Sequence, residues 1–386
     1  MKTRPNRVVY GITAGVSANK LLRGQLAWMR ESGWEVHLAV DPDPQALAAA
    51  RREGIVLEPL EMSREVSLIE DIHALFSWVA LLYRLRPVAV NVSTPKAGLL
   101  GGVAAALLRV PRRLYVIRGL RMEGSSGLFA KVLWAMERIA IAVATDVVVV
   151  SRSLALETQR RRLVGAGDSW LVGEGSSNGV PADLIASRVS QSDAISLRQQ
   201  LAFAPEDVVV GYVGRITEDK GVETLVSALE GLPEENPLRL LIVGSVEGET
   251  LGRRINALGR RAVCIGWTDD VWSYYASMDI LCLPTKREGF PNVVLEAAAA
   301  GVPTITTRAT GAVDSIIDGV TGLLVDVGDF AGLASAIERL AESPIDRRTM
   351  GATARRRVSE MFRPEVIWSG IDSIMRGEPN RFVQRI

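Results

Sequence analysis

The sequence predicts an α/β protein made of two doubly wound, parallel-sheet domains. Apolar runs of strand length alternate with helical patterns along the whole chain, the pattern of strand–helix–strand units. The alternation restarts after a Gly/Ser-rich segment, GEGSSNGV, near the middle. A chain of 386 residues that is 48% hydrophobic can also bury two cores.

In the first half, strands are predicted near RVVYGIT, WEVHLAV, IVLEPL, VAVNVS, RLYVIRG, DVVVV and WLVG. Helices are predicted between them, among them NKLLRGQLAWMRESG, ending at Gly33, and IEDIHALFSWVALLYRLR, ending before Pro87. In the second half the strands are DVVVGYVG, LRLLIVG, AVCIG, DILCLP, TITT and GLLVD. Doubly wound sheets bind ligands at the carboxyl ends of their strands, so ligand space is expected there and in the cleft between the domains.

Charge is unevenly spread although the net is +1. Residues 1–177 hold 23 Lys and Arg against 16 Asp and Glu, a balance of +7, and the remainder balances at −6. A basic amino-terminal half suits phosphates or an anionic membrane surface, and an uneven surface without a partner is the other reading. Cys264 and Cys282 both fall in predicted strands and read as small core residues, with no disulfide or metal spacing. The opening MKTRPNRVVYGITAGV mimics a signal peptide but reads better as a first strand. The longest apolar run, Ala97 to Leu108, is stopped by Lys96 and Arg109 before it reaches membrane-spanning length.

The stretch KREGFPNVVLEAAAAGVPTITT, Lys286 to Thr307, carries the strongest chemistry. It follows the buried-strand pattern DILCLP. Glu288 and Gly289 read as loop, Pro291 suits the first turn of a helix over Asn292 to Ala300, and Gly301 ends it. Unpaired N–H groups at that helix start form an anion site, and Glu288 and Glu296 flank it. Two carboxylates beside an anion site suit a ligand with both phosphates and hydroxyls, a nucleotide sugar. Upstream lies GRITEDKG, Gly214 to Gly221, between a predicted strand and helix. There Arg215 can bridge two phosphate oxygens, Lys220 adds a point charge, and Gly214 gives the loop room.

Together EGFPNVVLEAAAAGVP and GRITEDKG resemble the E-x(7)-E and G-R-x(4)-K-G motifs of retaining glycosyltransferases with the GT-B fold. The resemblance covers nearly the whole chain and is closest to transferases that build capsule, O-antigen and N-glycan precursors. It implies an acceptor domain over 1–177, a nucleotide-sugar domain over 178–361 that opens at Asn-Gly-Val, and a tail over 362–386 that returns to the first. It also implies transfer of a hexose or N-acetylhexosamine without a metal or other cofactor. A UDP-sugar is the commonest donor in the family. Arg215, Lys220 and the helix start would stabilise the leaving diphosphate, Glu288 would hold the sugar hydroxyls, and Glu296 the ribose. Gly289, Phe290, Pro291, Asn292 and Val293 complete the donor loop, with Thr310 and Gly311 beside it. Trp267 and Thr268 would meet the base, although a core aromatic is an equal reading of Trp267.

In the first domain, Gly15 in the loop TAGVSANK, Lys96 in STPKAGLLGG, and Arg118 and Arg121 in YVIRGLRMEG follow predicted strands. By resemblance they would hold a polyprenyl-diphosphate-linked glycan, and surface cations without a ligand are the alternative. A cytoplasmic protein on the inner membrane face follows from that acceptor. Arg118 stands near where many relatives have His, and Asp314 where many have Glu. His37 and His73 read as structural. Asp41 and Asp43 imitate a D-x-D metal motif but fall where the next helix opens. Two other functions compete: a GT-B nucleotide-sugar 2-epimerase, and a silent homologue that only binds a nucleotide sugar. Transfer, epimerised free sugar or binding alone would separate the three.

Overall fold

The computed structural model describes residues 6–63, 67–233, 236–245 and 249–386. The start of MKTRPNRVVYGITAGV lies outside them. The chain forms two compact units, Met1–Gly179 with Pro364–Ile386, and Val180–Arg363. The sequence reading set these boundaries at 177/178 and 361/362.

In the first unit the strands are β1 (Arg7–Gly11), β2 (Glu35–Val40), β3 (Val56–Pro59), β4 (Ala89–Val92), β5 (Arg112–Ile117), β6 (Asp146–Val149) and β7 (Trp170–Val172). They pair in parallel in the order β7-β6-β5-β4-β1-β2-β3. The order reverses between β1 and β4, so the loops after these two strands flank the crevice of this sheet. An eighth strand, Val383–Arg385, adds antiparallel to β7 at the end of the returning tail, where the sequence predicts no strand. It is three residues long, too short for any periodicity to mark it.

The second unit holds β8 (Val208–Val213), β9 (Leu238–Val243), β10 (Ala262–Cys264), β11 (Ile280–Leu283), β12 (Thr304–Thr307) and β13 (Gly322–Val325), all parallel. Their order is β10-β9-β8-β11-β12-β13. Every residue of β8, β11 and β12 is buried. That explains the continuous apolar runs of β8 and β11: helices cover both faces of a central parallel strand. Cys282 lies in β11 and burial pushes its thiol up. Cys264 is exposed, against the expectation of a core residue, because β10 is the edge strand.

One helical expectation needs correction. NKLLRGQLAWMRESG is not one helix but two, Gly15–Leu21 and Gln25–Glu31. Gly24 between them has φ 77°, and a side chain there would strike the Trp368 ring at 2.8 Å. The buried Glu53 carboxylate accepts from Gly24 N at 3.0 Å and Ala27 N at 3.1 Å, capping the second helix. Trp368 lies on Pro364–Arg376, which is tied into the first unit by Trp368 Nε1 donating to Asn178 and Trp34 Nε1 donating to Asp372. All but the last residue of the apolar run Ala97 to Leu108 lies in the helix Pro95–Leu107, most of which is buried. The exposed apolar surface lies on its neighbours, Leu68–Leu85 and Gly127–Val143.

One core group titrates in the physiological range. Glu137, on Gly127–Val143, is 3% exposed and accepts from the Tyr115 hydroxyl at 2.8 Å. Burial pushes its carboxyl up to about 7, against the pull of that hydrogen bond. Its stabilising contribution is therefore full below the unfolded value of 4.5 and is lost as pH rises through about 7. Glu137→Gln should stabilise the first unit at pH 8 by about 3 kcal/mol, and the gain should vanish toward pH 4. Parallel melting-temperature profiles for the two proteins between pH 4 and 8 would show that Glu137 does not titrate this way.

Candidate functional site

The strand order of the second unit reverses between β8 and β11, which pair directly. Ligands of open α/β sheets sit outside such a reversal, at the strands' carboxyl ends. The loop after β8 carries Gly214 and Arg215, then a short 3₁₀ turn, Glu218–Lys220. The loop after β11 carries Lys286, Arg287 and Glu288.

The two loops are fastened to each other. Asp219 O accepts from Lys286 N at 2.9 Å and from Thr285 Oγ1 at 3.2 Å. Three successive ion pairs run alongside: Glu218–Lys286 at 3.4 Å, Asp219–Arg287 at 3.2 Å and Lys220–Glu288 at 2.5 Å. Burial opposes ionisation of Asp219, but hydrogen bonding from Thr217 and the cations of Lys220 and Arg287 hold its carboxyl below the usual range. Asp219 and Arg287 were not singled out from sequence. Inside a loop they look like solvated charges, and only the pairing of two distant segments marks them.

Arg215 is exposed, and its carbonyl accepts from the buried Tyr212 hydroxyl at 2.7 Å. Burial, then the carboxylates of Glu288 and Asp219, raise the Tyr212 phenol. Glu288 N donates to Thr310 O at 2.8 Å. Gly289 and Phe290 are buried, and the Phe290 ring meets Phe362 at 5.5 Å. Pro291 caps the helix Asn292–Ala299, where Asn292, Val293 and Glu296 are part-exposed. The Tyr275 hydroxyl donates to Glu296 Oε2 at 3.1 Å. Tyr275 is buried and was also missed, since an aromatic pair in an apolar helix reads as core.

Trp267 is 59% exposed, which removes the core reading left open by the sequence. Thr268 Oγ1 accepts from Asp270 N. The following helix starts at Val271. Asp270 itself is held by Arg188 and Ser273. Asp314 O accepts from Arg357 at 3.2 Å.

In the first unit the loops after β1 and β4 are joined by Thr13 and Thr94, whose hydroxyls lie 2.6 Å apart. Gly15 N donates to Asp43 at 3.2 Å, and a side chain at Gly15 would strike that carboxylate. Asp43 also caps Pro44–Glu53 through Ala46 N at 2.7 Å. Burial and the neighbouring Asp43 and Glu61 raise the Asp41 carboxyl. Among the described residues no group of three or more His, Cys, Asp or Glu is placed to hold a metal ion. Lys96, expected as an open cation, is 6% exposed and paired with Asp71 at 2.5 Å. Arg118 donates to the Ser177 carbonyl, and burial lowers its guanidinium to about 10. Arg121 is exposed, 5.9 Å from the Phe129 ring centre. His37 is held between Glu58 at 2.8 Å and Glu35 at 3.1 Å, consistent with a structural role.

The fastened loops leave no room at one glycine. Gly221, φ 66°, would place a Cβ 1.9 Å from Pro284 O, whereas Gly266, φ 69°, has open space. Gly266→Ala should cost about 1–2 kcal/mol, the left-handed strain alone. Gly221→Ala should cost clearly more, because Pro284 backbone must move as well. Chemical unfolding of both variants measures this, and equal losses would mean that the two loops separate freely.

Residues 193–357 match the family described as "Glycosyl transferases group 1", and residues 18–168 match the "Glycosyl transferase 4-like domain". The chain is 34% identical over 375 residues to the capsular polysaccharide biosynthesis glycosyltransferase CapM of Staphylococcus aureus, covering 96% of this chain and 97% of that one. It is 24% identical to the Escherichia coli UDP-Gal:alpha-D-GlcNAc-diphosphoundecaprenol alpha-1,3-galactosyltransferase, over 74% of each chain. Among solved structures, Anabaena HepE in complex with UDP-glucose superposes with a TM-score of 0.78 at 21% identity, over 96% of this chain and 99% of that one. That likeness is one of fold, and the fold is GT-B. The chain belongs to the group 1 glycosyl transferases.

Proposed function

We propose that this glycosyltransferase moves a hexose or N-acetylhexosamine, with retention, from a nucleotide sugar to a glycan carried on polyprenyl diphosphate, in surface-polysaccharide assembly. One observation carries the donor half of this reading. The loops after β8 and β11 bring Lys220 within 2.5 Å of Glu288 at the strand-order reversal, beside the start of Asn292–Ala299. A UDP-sugar is the favoured donor, because HepE was solved with UDP-glucose. The name of the E. coli relative gives a diphosphoundecaprenol acceptor, and CapM works in capsule synthesis.

In this reading Arg215 and Lys220 hold the diphosphate, and the unpaired N–H groups at Asn292 and Val293 add their dipole. Negative charge grows on the diphosphate as the sugar leaves, and these donors stabilise it where it forms. The leaving diphosphate then helps take the acceptor's proton on the same face, which retains the anomeric configuration. Glu288 orients the sugar through its hydroxyls. Glu296, steadied by Tyr275, accepts from the ribose, and exposed Trp267 flanks the base. No metal is required, because cations and helix dipole supply the positive charge.

For the acceptor we propose that the first unit rests on an anionic membrane. Leu68, Ile69 and Phe76 on Leu68–Leu85, and Leu128 and Phe129 on Gly127–Val143, are exposed, large and apolar. The unit also carries the chain's positive excess. Among the described residues no helix is long and apolar enough to cross a membrane. Apolar side chains would enter the interface while cations meet anionic headgroups. Arg121 is the cation best exposed to meet an acceptor diphosphate; Lys96 would act through Asp71.

Incubation with labelled UDP-sugars and membrane lipid should give labelled lipid product even in excess EDTA. Glu288→Ala, Arg215→Ala and Lys220→Ala should each lower kcat by roughly 10²–10³. Activity within a few-fold of wild type would remove that residue from its role, and loss in EDTA restored by Mg²⁺ would overturn the metal-free reading. Phe76→Ser with Leu128→Ser should fold normally and bind phosphatidylglycerol vesicles at least about tenfold more weakly. Indifference of the wild type to such vesicles at low salt would favour a soluble acceptor.

A further inference from the structure

The three ion pairs between the donor loops form a ladder whose members are each 68 residues apart in sequence. Their sign changes along it. Glu218 and Asp219 present carboxylates to the cations of Lys286 and Arg287, whereas Lys220 presents a cation to the carboxylate of Glu288. Exposure falls in the same direction. The Glu218 side chain is 87% exposed, Asp219 35%, and Glu288 14%. The outer pair is screened and contributes little. The middle pair fastens the loops. The inner pair is the most buried, and it joins the two residues assigned to phosphate and sugar.

From this we infer that the Lys220–Glu288 pair discriminates the intact nucleotide sugar from the spent nucleotide. The inference rests on the donor assignment above. In the donor-free protein each charge satisfies the other. An intact donor replaces both halves of the pair, its diphosphate taking Lys220 and its sugar hydroxyls taking Glu288. A diphosphate without a sugar replaces only one half. It leaves the Glu288 carboxylate largely buried, without its cation and beside phosphate of like charge, which is destabilising. Product affinity is thereby lowered relative to donor affinity. The ladder's sign change follows from this: a third pair of the outer polarity would set a carboxylate against the phosphates and a cation against the sugar.

The test uses inorganic pyrophosphate, UDP and UDP-glucose as probes on the full chain, with Glu288→Gln, Lys220→Met and the double variant. Glu288→Gln keeps the side chain's shape, and the Asp219–Arg287 pair remains to hold the loops. Thermal melting verifies that each variant folds. Glu288→Gln should bind pyrophosphate and UDP about tenfold more tightly than wild type, and UDP-glucose no more tightly. In the Lys220→Met background the same change should have a smaller effect, because no pair is left to break. Unchanged or weaker UDP binding by Glu288→Gln overturns the inference. So does an equal gain with and without Lys220, which would be general repulsion rather than pair exchange. If sugar transfer occurs while these affinities do not move, the inference fails and the donor assignment stands. If wild type binds none of the three probes and transfers no sugar, both fail.

Discussion

The second unit depends on one fastening, the backbone hydrogen bond from Lys286 N to Asp219 O with its flanking ion pairs. It joins loops that leave adjacent parallel strands at the point where strand order reverses. Parallel neighbours send their carboxyl ends the same way, so β8 and β11 bring Gly214–Gly221 and Lys286–Gly289 to one edge. The fastening then sets which residues face each other. Without it Lys220 and Glu288 would be two solvated charges on two mobile loops. With it they form a preorganised pair, and preorganisation is what gives charged groups catalytic leverage. Phe290 extends the same rigidity inward through its ring contact with Phe362.

The fold was legible because its signals are local and repeated. Buried parallel strands such as VVVGYV have no polar face to confuse the pattern, and each is followed by a turn and an amphipathic helix. What escaped were the features set by tertiary contact. The break at Gly24 needs Glu53 and Trp368, both distant in sequence, to explain it. The edge position of β10, which exposes Cys264, depends on sheet order, and no single strand's composition reports that order.

The candidate site shows the same division. Arg215, Lys220, Glu288 and Glu296 were readable because a motif states residue type and spacing together. Asp219, Arg287 and Tyr275 were not, since each acts on a neighbour: Asp219 on Arg287, Tyr275 on Glu296. In the first unit the reading of cations at strand ends met burial. Lys96 follows a strand as expected, yet its helix turns the ammonium onto Asp71. Position after a strand locates a residue near the crevice but does not say what its side chain touches.

Two strand-end cations, Lys220 of the second unit and Arg118 of the first, are therefore held in opposite ways. In the second, the charges of the donor loops neutralise each other across a seam. In the first, the part-buried Arg118 is set among polar but uncharged groups. Among the described residues its Nε and the Gln25 Oε1 have no hydrogen-bond partner, and both residues line a small cavity with Asn91 and Ser176. A guanidinium in that setting keeps its charge, with its pKa still about 10, but at a desolvation cost that no carboxylate among the described residues offsets. It places a positive charge at the first unit's strand ends, whereas the Lys220 charge of the second is neutralised by Glu288.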